Sequence, residues 1–515
     1  MTKTFILTVL LFGLSSCLHA QMKDLGQIMN NSELLFYKAI SNQDESIYGY
    51  LYIYSADKLN KHEAKYEYLI LDKNLNEVAR NTFIQPKYSN RTIEKYLDCN
   101  KMGDNLLISI GYAYLKSFAA ANNYINYLVT TYRTLNLKSN TMSDEFYFDD
   151  GVFKPLVVKD DNLNKAYKNV DNIFGIYAID NAEYSGYLVQ EIQKSDTDRY
   201  KIKEIKAYDL DKKPTWTSTF HPGATRSNYN VMSTSSWPDE PISRTFPKCM
   251  TTEFTGRSLV GINLISGAKL FEYQIDSKDS KFYHEFVTSK YGSSIYLAGT
   301  YTKNDINKFE WDKRLGWFRI ELDLSGKEIS KKYQAWINAS KFVKIKENGK
   351  LEDGYRLIPQ EFFIFRDGTS SFLAEKFKEQ KGATFFMGSD QSKSSDMVLV
   401  NFDQQFEINS IDVIRKEVST TLHYDYLFSQ YIKNKTGVVF FFEDYKKGAD
   451  DEKRKWFLGI NKIVDGKYEY EEVPITSAKR DFVIIPHMAK EGYIMLREYN
   501  ESKKYNQIRL EKLNY

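Results

Sequence analysis

Apolar runs rich in β-branched and aromatic residues, about 7–10 residues long and bounded by polar turn residues, recur along almost the whole chain, while helical periodicity is scarce. The clearest cover residues 46–54, 106–114, 186–192, 258–265, 294–301, 371–377, 437–445 and 492–499. Most close on an aromatic side chain just ahead of a charged or Asn-containing turn. A second pattern follows many of them: an apolar stretch ends at Asp or Asn, a short turn intervenes and another strand begins. Residues 68–74, 205–209, 318–326, 397–403 and 457–466 carry it. Asp, Asn and Gly suit such positions because they tolerate left-handed backbone and bond their own turn amides.

This pattern predicts an all-β chain. The first signature returns at roughly 55–80 residues, apart from the close pair at Ser258 and Ser294, which fits one four-stranded antiparallel sheet with long loops. Repeated radially, such sheets form a β-propeller in which each blade buries its faces on its neighbours. Dividing about 490 residues by that period predicts about seven blades, with six or eight compatible. Residues 34–37 form an early strand and 507–513 a late one, and either could complete a blade begun at the other end. Two β-sandwich domains joined near 214–247 are the alternative architecture. That segment holds Pro214, Pro222, Pro238, Pro241 and Pro247 and reads as irregular.

Residues 1–20 read as a signal peptide: Lys3 supplies a positive start, 5–14 are apolar, and Ser15 and Ser16 follow. No stretch approaches the length of a membrane-spanning helix. Two processing sites compete. Leu14-Ser15-Ser16-Cys17 resembles a bacterial lipobox with Cys17 as the lipidated residue, which predicts an outer-membrane-anchored lipoprotein. Leu18-His19-Ala20 before Gln21 resembles an ordinary signal-peptidase site, the preferred reading, which predicts a periplasmic or extracellular protein of residues 21–515. Cys99 and Cys249 then remain, either bridged, as an oxidising compartment permits, or as two buried thiols.

Composition narrows the chemistry. Of 515 residues 42% are hydrophobic and 15% aromatic, enough for a large core. The 71 basic and 68 acidic residues leave a net charge of +3, which argues against nucleic acid as a partner. His62, His221, His284, His423 and His487 are widely spaced with no metal motif, so neither a metal site nor a cofactor is expected. No Gly-x-Ser-x-Gly elbow or phosphate-binding glycine loop occurs. Asp72, Asn74 and Asn76, and likewise Asp160, Asn162 and Asn164, place oxygens at alternate positions. Both sets lack the sixth-position glycine of a calcium loop, and solvated turns are the better reading. Acid pairs such as Asp149/Asp150 and Glu471/Glu472 point to opposite faces of a strand, so no catalytic dyad is assigned. The mixed-charge run 446–455 reads as a hairpin tip.

The 214–247 segment stands slightly above this background. Trp216, His221, Arg226, Tyr229, Trp237, Asp239 and Arg244 place aromatic and polar groups together, a combination suited to sugars or peptides. The expectation is a loop covering one propeller face, with aromatics packed over a sheet end as the plainer alternative.

The Ala20-Gln21 junction, the Tyr/Asn/Lys-rich strands and the closing residues 493–500 together resemble uncharacterised exported Bacteroidota proteins with propeller-like repeats. The resemblance implies a fold and a compartment. The functional expectation is an exported envelope protein acting as a non-catalytic binding platform for a protein or glycan. A polysaccharide-acting hydrolase or lyase, with acids supplied by separate blades, is the alternative.

Overall fold

The computed structural model describes residues 22–24, 33–42, 46–60, 62–87, 92–114, 127–149, 151–156, 172–180, 184–194, 200–219, 227–233, 242–247, 256–277, 280–303, 314–378, 393–419, 426–446, 455–464, 466–475, 483–500 and 505–513. They form eight antiparallel sheets, each containing strands consecutive in sequence. We number the sheets as blades: 1 (33–86), 2 (92–155), 3 (172–219), 4 (227–277), 5 (282–335), 6 (356–414), 7 (426–474) and 8 (483–512 with 22–24). Blade 2 has six strands, the additional ones belonging to a hairpin that leans towards blade 3.

Eight apolar clusters join these blades pairwise: 1–2, 2–3, 3–4, 4–5, 5–6, 6–7, 7–8 and 8–1. The ring therefore closes on itself, and the fold is an eight-bladed β-propeller. First strands approach one another between blades 1 and 2, 2 and 3, and 7 and 8, which puts them around the axis. Closure comes from Met22–Asp24, which pairs with Tyr505–Lys512 (Met22 opposite Arg509, Asp24 opposite Gln507) and removes an open edge. The expected early closing strand, residues 34–37, belongs instead to the inner strand of blade 1, Glu33–Ser41.

The count of eight lies within the expected six to eight, one above the central value, and the reason lies in the strands themselves. Each apolar run named above falls in a different blade. Seven of the eight runs are second strands (Ile47–Lys58, Asn105–Tyr114, Ser185–Lys194, Ser294–Lys303, Ser370–Lys378, Gly437–Lys446, Tyr493–Asn500). In blade 4 the run is the third strand, Gly256–Ile262, which explains the short step to Ser294. A second strand is paired on both edges and packed on both faces, so alternate residues serve opposite neighbours. In Ile47–Lys58, Leu51 and Ile53 face blade 2 while Tyr50, Tyr52 and Tyr54 face blade 8. Both faces must then be apolar, and the strand reads as a continuous hydrophobic run.

The second signature is a third strand ending in its turn. Asp403 shows the device: its carboxylate accepts the Gln405 and Glu407 amides at 2.8 and 2.9 Å, and the Phe406 N–H donates to the Asp403 carbonyl at 2.9 Å. The same backbone closure recurs at Asp72, Asp209 and Asp323. At Gly326 the turn needs φ +79°, and a Cβ would meet the Phe271 ring at 2.3 Å.

The Pro-rich segment is not a linker between sandwiches. Pro214–Thr219 is the outermost strand of blade 3, and Ser227–Ser233 and Ile242–Pro247 are the first two of blade 4. Pro214 and Pro247 occupy strand ends, where a missing N–H is tolerated. Cys99 is a free, buried thiol between blades 1 and 2, whereas Cys249 and Cys17 lie outside the described residues. The expected bridge is therefore absent at Cys99. No helix among the described residues is long and apolar enough to cross a membrane.

Candidate functional site

Antiparallel strands that run alternately up and down sort their connections onto two faces. One face carries the turns from first to second and from third to fourth strands, such as 73–76, 103–104, 292–293, 324–327, 403–407 and 489–492. Second and fourth strands end on the opposite face, where 336–355 is the long connection that lies among the described residues. We call the two the turn face and the loop face.

Turn-face carbonyls and side chains are tied across blades. Arg319 of blade 5 donates to the carbonyls of Gly368 and Gln404 in blade 6, both at 2.7 Å. Lys490 of blade 8 reaches Asn74 of blade 1 at 2.6 Å, and the Asp180 carboxylate takes Lys101 Nζ and the Gly103 amide at 2.9 and 2.7 Å. These turns consume their own polar groups.

At the loop-face ends of the blades, titratable side chains meet one another instead. Between blades 1 and 2, Glu145 accepts from Gln85 (2.5 Å), Tyr112 (2.9 Å) and Thr131 (3.1 Å), with Arg133 at 3.5 Å. Both of its oxygens are occupied, and the group is buried. Burial, together with the charge of Glu145, pushes the neighbouring Glu94 carboxyl up to about 8, although Lys87 and Arg133 pull against that shift. Glu94 thus holds a proton at neutral pH.

Between blades 4 and 5, His284 Nδ1 lies 2.5 Å from Asp276 and its Nε2 lies 2.9 Å from the Tyr333 hydroxyl, inside a cage with Phe318. His284 and Asp276 are both buried, so the relay fastens the two blades and is shielded from substrate. Around blade 6, Lys416 meets Glu375 at 2.6 Å with both side chains fully buried, and Tyr426 donates to Glu361 at 3.1 Å. Burial raises the Glu361 carboxyl, a shift that the Tyr426 hydrogen bond opposes.

Side chains exposed on the first strands are both apolar and charged. Leu97, Tyr177 and Val287 are 38%, 36% and 40% exposed on the first strands of blades 2, 3 and 5, between buried neighbours such as Tyr96, Ile176 and Phe286. Inner-strand side chains that escape both blade interfaces look into the channel. Lys38 and Asp98 bridge the first strands of blades 1 and 2 at 2.8 Å.

The residues singled out in 214–247 do not form one covering loop. Trp216 lies in the core between blades 3 and 4, and its indole N–H donates to the Leu264 carbonyl at 2.7 Å. Tyr229 falls on the first strand of blade 4 and Arg244 on its second. His221, Arg226, Trp237 and Asp239 lie outside the described residues, as do Asp160, Asn162 and Asn164. Asp72 receives the Asn74 and Asn76 amides, both at 2.8 Å, as a turn does. Residues 446 and 455 pair across a hairpin, as the charge run predicts. The Glu94–Glu145 network was not foreseen, since its members lie far apart in sequence. Glu375 was legible, because an acid inside the apolar run 371–377 requires a buried partner.

The model of a family described as "Family of unknown function (DUF6770)" matches residues 1–94 and 150–423. None of the curated proteins compared with the chain matches it. Among solved structures, the β-propeller domain of the Trilobed protease from Pyrococcus furiosus is similar at TM-score 0.35 and 10% identity, covering 83% of this chain and 97% of that one. The WD40 domain of SCAP from fission yeast gives 0.37 and 7%, covering 94% and 92%. NanB sialidase from Streptococcus pneumoniae gives 0.31 and 9%, covering 95% and 97%. Likeness at this level carries no argument, and the propeller assignment rests on the chain's own closed ring of sheets.

Proposed function

Since the chain belongs to the DUF6770 family, whose function is unknown, we propose a role from its architecture: an exported binding protein whose loop face and channel mouth take a protein or glycan. One observation carries this reading. Among the described residues, the long connection 336–355 lies on one face, while the turns on the other are short and internally bonded. A propeller collects loops from several blades around one concave mouth, which yields a site without any linear motif, and Tyr177 and Leu97 supply apolar contacts on its wall.

Export is supported by the leader pattern in residues 1–20 and by the position of the closing strand. Cleavage after Ala20 starts the mature chain one residue before Met22–Asp24. Mass spectrometry of the N-terminus from native cells tests this: a Gln21 start supports the soluble form, and a lipidated Cys17 replaces it with an anchored one.

Binding is tested by titrating the mature protein with a panel of cell-envelope polysaccharides and purified envelope proteins. Tyr177→Ala and Leu97→Ala are expected to weaken affinity at least tenfold, with the turn-face variant Lys73→Ala unchanged. Equal affinity in all three variants would sink the proposal. A second, catalytic reading rests on Glu94, the proton-holding carboxyl beside the buried Glu145 network. Release of oligosaccharide that disappears in Glu94→Gln would establish that reading.

A further inference from the structure

The interface between blades 8 and 1 is the one the chain closes last, and its polar groups are unbalanced. Tyr37 and Tyr52 sit opposite each other on the first two strands of blade 1, with Tyr54 two residues further along the same face. Blade 8 contributes His487 from its first strand, opposite Met495, and Arg497 from its second. The Tyr37 ring lies 4.3 Å from the His487 ring and 5.0 Å from Tyr52, while Tyr52 and Tyr54 are 6.3 Å apart. Tyr52 donates to the Met495 sulfur at 3.6 Å.

The remaining groups have little to bond. The Tyr37 hydroxyl, the Tyr54 hydroxyl and His487 Nε2 are buried without a hydrogen-bond partner. Leaving such an atom unsatisfied is costly, and a native interior rarely does so without water or an ion in place. Arg497, half-buried beside them, donates Nε to the Asn506 side-chain carbonyl at 2.8 Å and lies over the Tyr499 ring. It has no carboxylate at ion-pair distance among the described residues. The carboxylate across the ladder from Tyr54, Glu67, lies 3.5 Å from Arg80. His487 is neutral, pushed down to about 3 by burial and then by the Arg497 charge.

Each of these groups can donate: the Tyr37 and Tyr54 hydroxyls, His487 in the tautomer that carries its proton on Nε2, and the Arg497 guanidinium with its Nη hydrogens to spare. A positive charge so placed requires a counter-charge. We propose that the seam between blades 8 and 1 is a binding site for a small monovalent anion of halide size, held by Arg497 and the Tyr54 hydroxyl with Tyr37 and His487 completing the shell. Such an ion accepts hydrogen bonds from every direction, neutralises Arg497 and fastens blade 8 to blade 1. The site is distinct from the loop face and does not depend on the binding role proposed for it.

The test compares thermal unfolding of the mature protein in sodium chloride, sodium bromide and sodium gluconate at equal ionic strength. The expected result is a saturable rise in Tm of several degrees with either halide, lost in Arg497→Met and reduced in Tyr54→Phe. If Arg497→Met does not fold, Tyr54→Phe alone decides, since it removes one donor and keeps the ring. Bromide-soaked crystals are expected to show an anomalous peak within hydrogen-bond distance of Arg497 and Tyr54. Identical melting in the three salts with only water in the seam overturns the proposal. A bromide peak without any solution effect also overturns it, as binding at crystal concentration only.

Discussion

The turn face and the loop face are built from the same strands yet solve opposite problems. On the turn face, carbonyls and carboxylates such as those of Gly368, Gln404 and Asp403 take donors from their own turn or from the neighbouring blade. On the loop face, polar groups are satisfied by one another in buried side-chain pairs, and the connection 336–355 is long. The difference teaches that this propeller keeps its rigidity at one end and frees the other for variation, the usual division between scaffold and binding surface.

The comparison can be broken first at Lys416. Removing its charge in Lys416→Met takes the cationic partner from the buried Glu375 carboxylate, which keeps the Gln360 amide at 3.1 Å among its partners, and the loss is expected to be about 3–5 kcal/mol in urea unfolding. A loss below 1 kcal/mol would mean that the loop-face pairs are incidental to the scaffold.

Next comes pH. Glu94 is raised from its ordinary 4.5 to about 8, so the folded state holds a proton that the unfolded state releases earlier. Its stabilising contribution is full below pH 4.5 and is lost as pH rises towards 8. Glu94→Gln is expected to flatten that fall in stability between those two values, and an unchanged profile would contradict the burial argument.

On the turn face, Gly326→Ala forces a Cβ to 2.3 Å from the Phe271 ring at a positive φ, at an expected cost of about 1–3 kcal/mol. Asp403→Ala removes the acceptor of two turn amides and should cost about 1 kcal/mol, much as loss of a helix cap does. The smallest effect is expected on the loop face. Lys344→Ala removes the exposed Lys344–Glu352 pair (2.8 Å) in the connection 336–355 and should leave the urea midpoint unchanged. A large loss there would erase the distinction between the faces.

Much of the architecture was legible in the chain. Second strands announced themselves because both faces and both edges are buried, which leaves no polar positions. Third strands announced themselves by the Asp that caps their turns. Dividing length by period gave the blade number only as six to eight, whereas the apolar runs already marked one blade each. Inner and outer strands were far less visible. Glu77–Pro86, outermost in blade 1, alternates buried and exposed residues and carries no continuous run.

The candidate sites were legible only in part. An acid in an apolar strand, as at Glu375, announces a buried partner but does not name it, since Lys416 lies 41 residues away. Trp216 looked like a ligand contact and proved to be core, because an aromatic on an outer strand can pack inward as readily as it can face a ligand.

From its sequence alone, then, the chain determined its all-β character, its radial repetition and the chemistry of its turns, since these depend on local periodicity and on how neighbouring residues bond the backbone. The tertiary structure alone decided the number of blades that close the ring, the strand that closes it and the identity of the buried pairs. Those outcomes depend on which distant side chains are brought face to face, and contact between blades is set by the geometry of the ring rather than by separation along the chain.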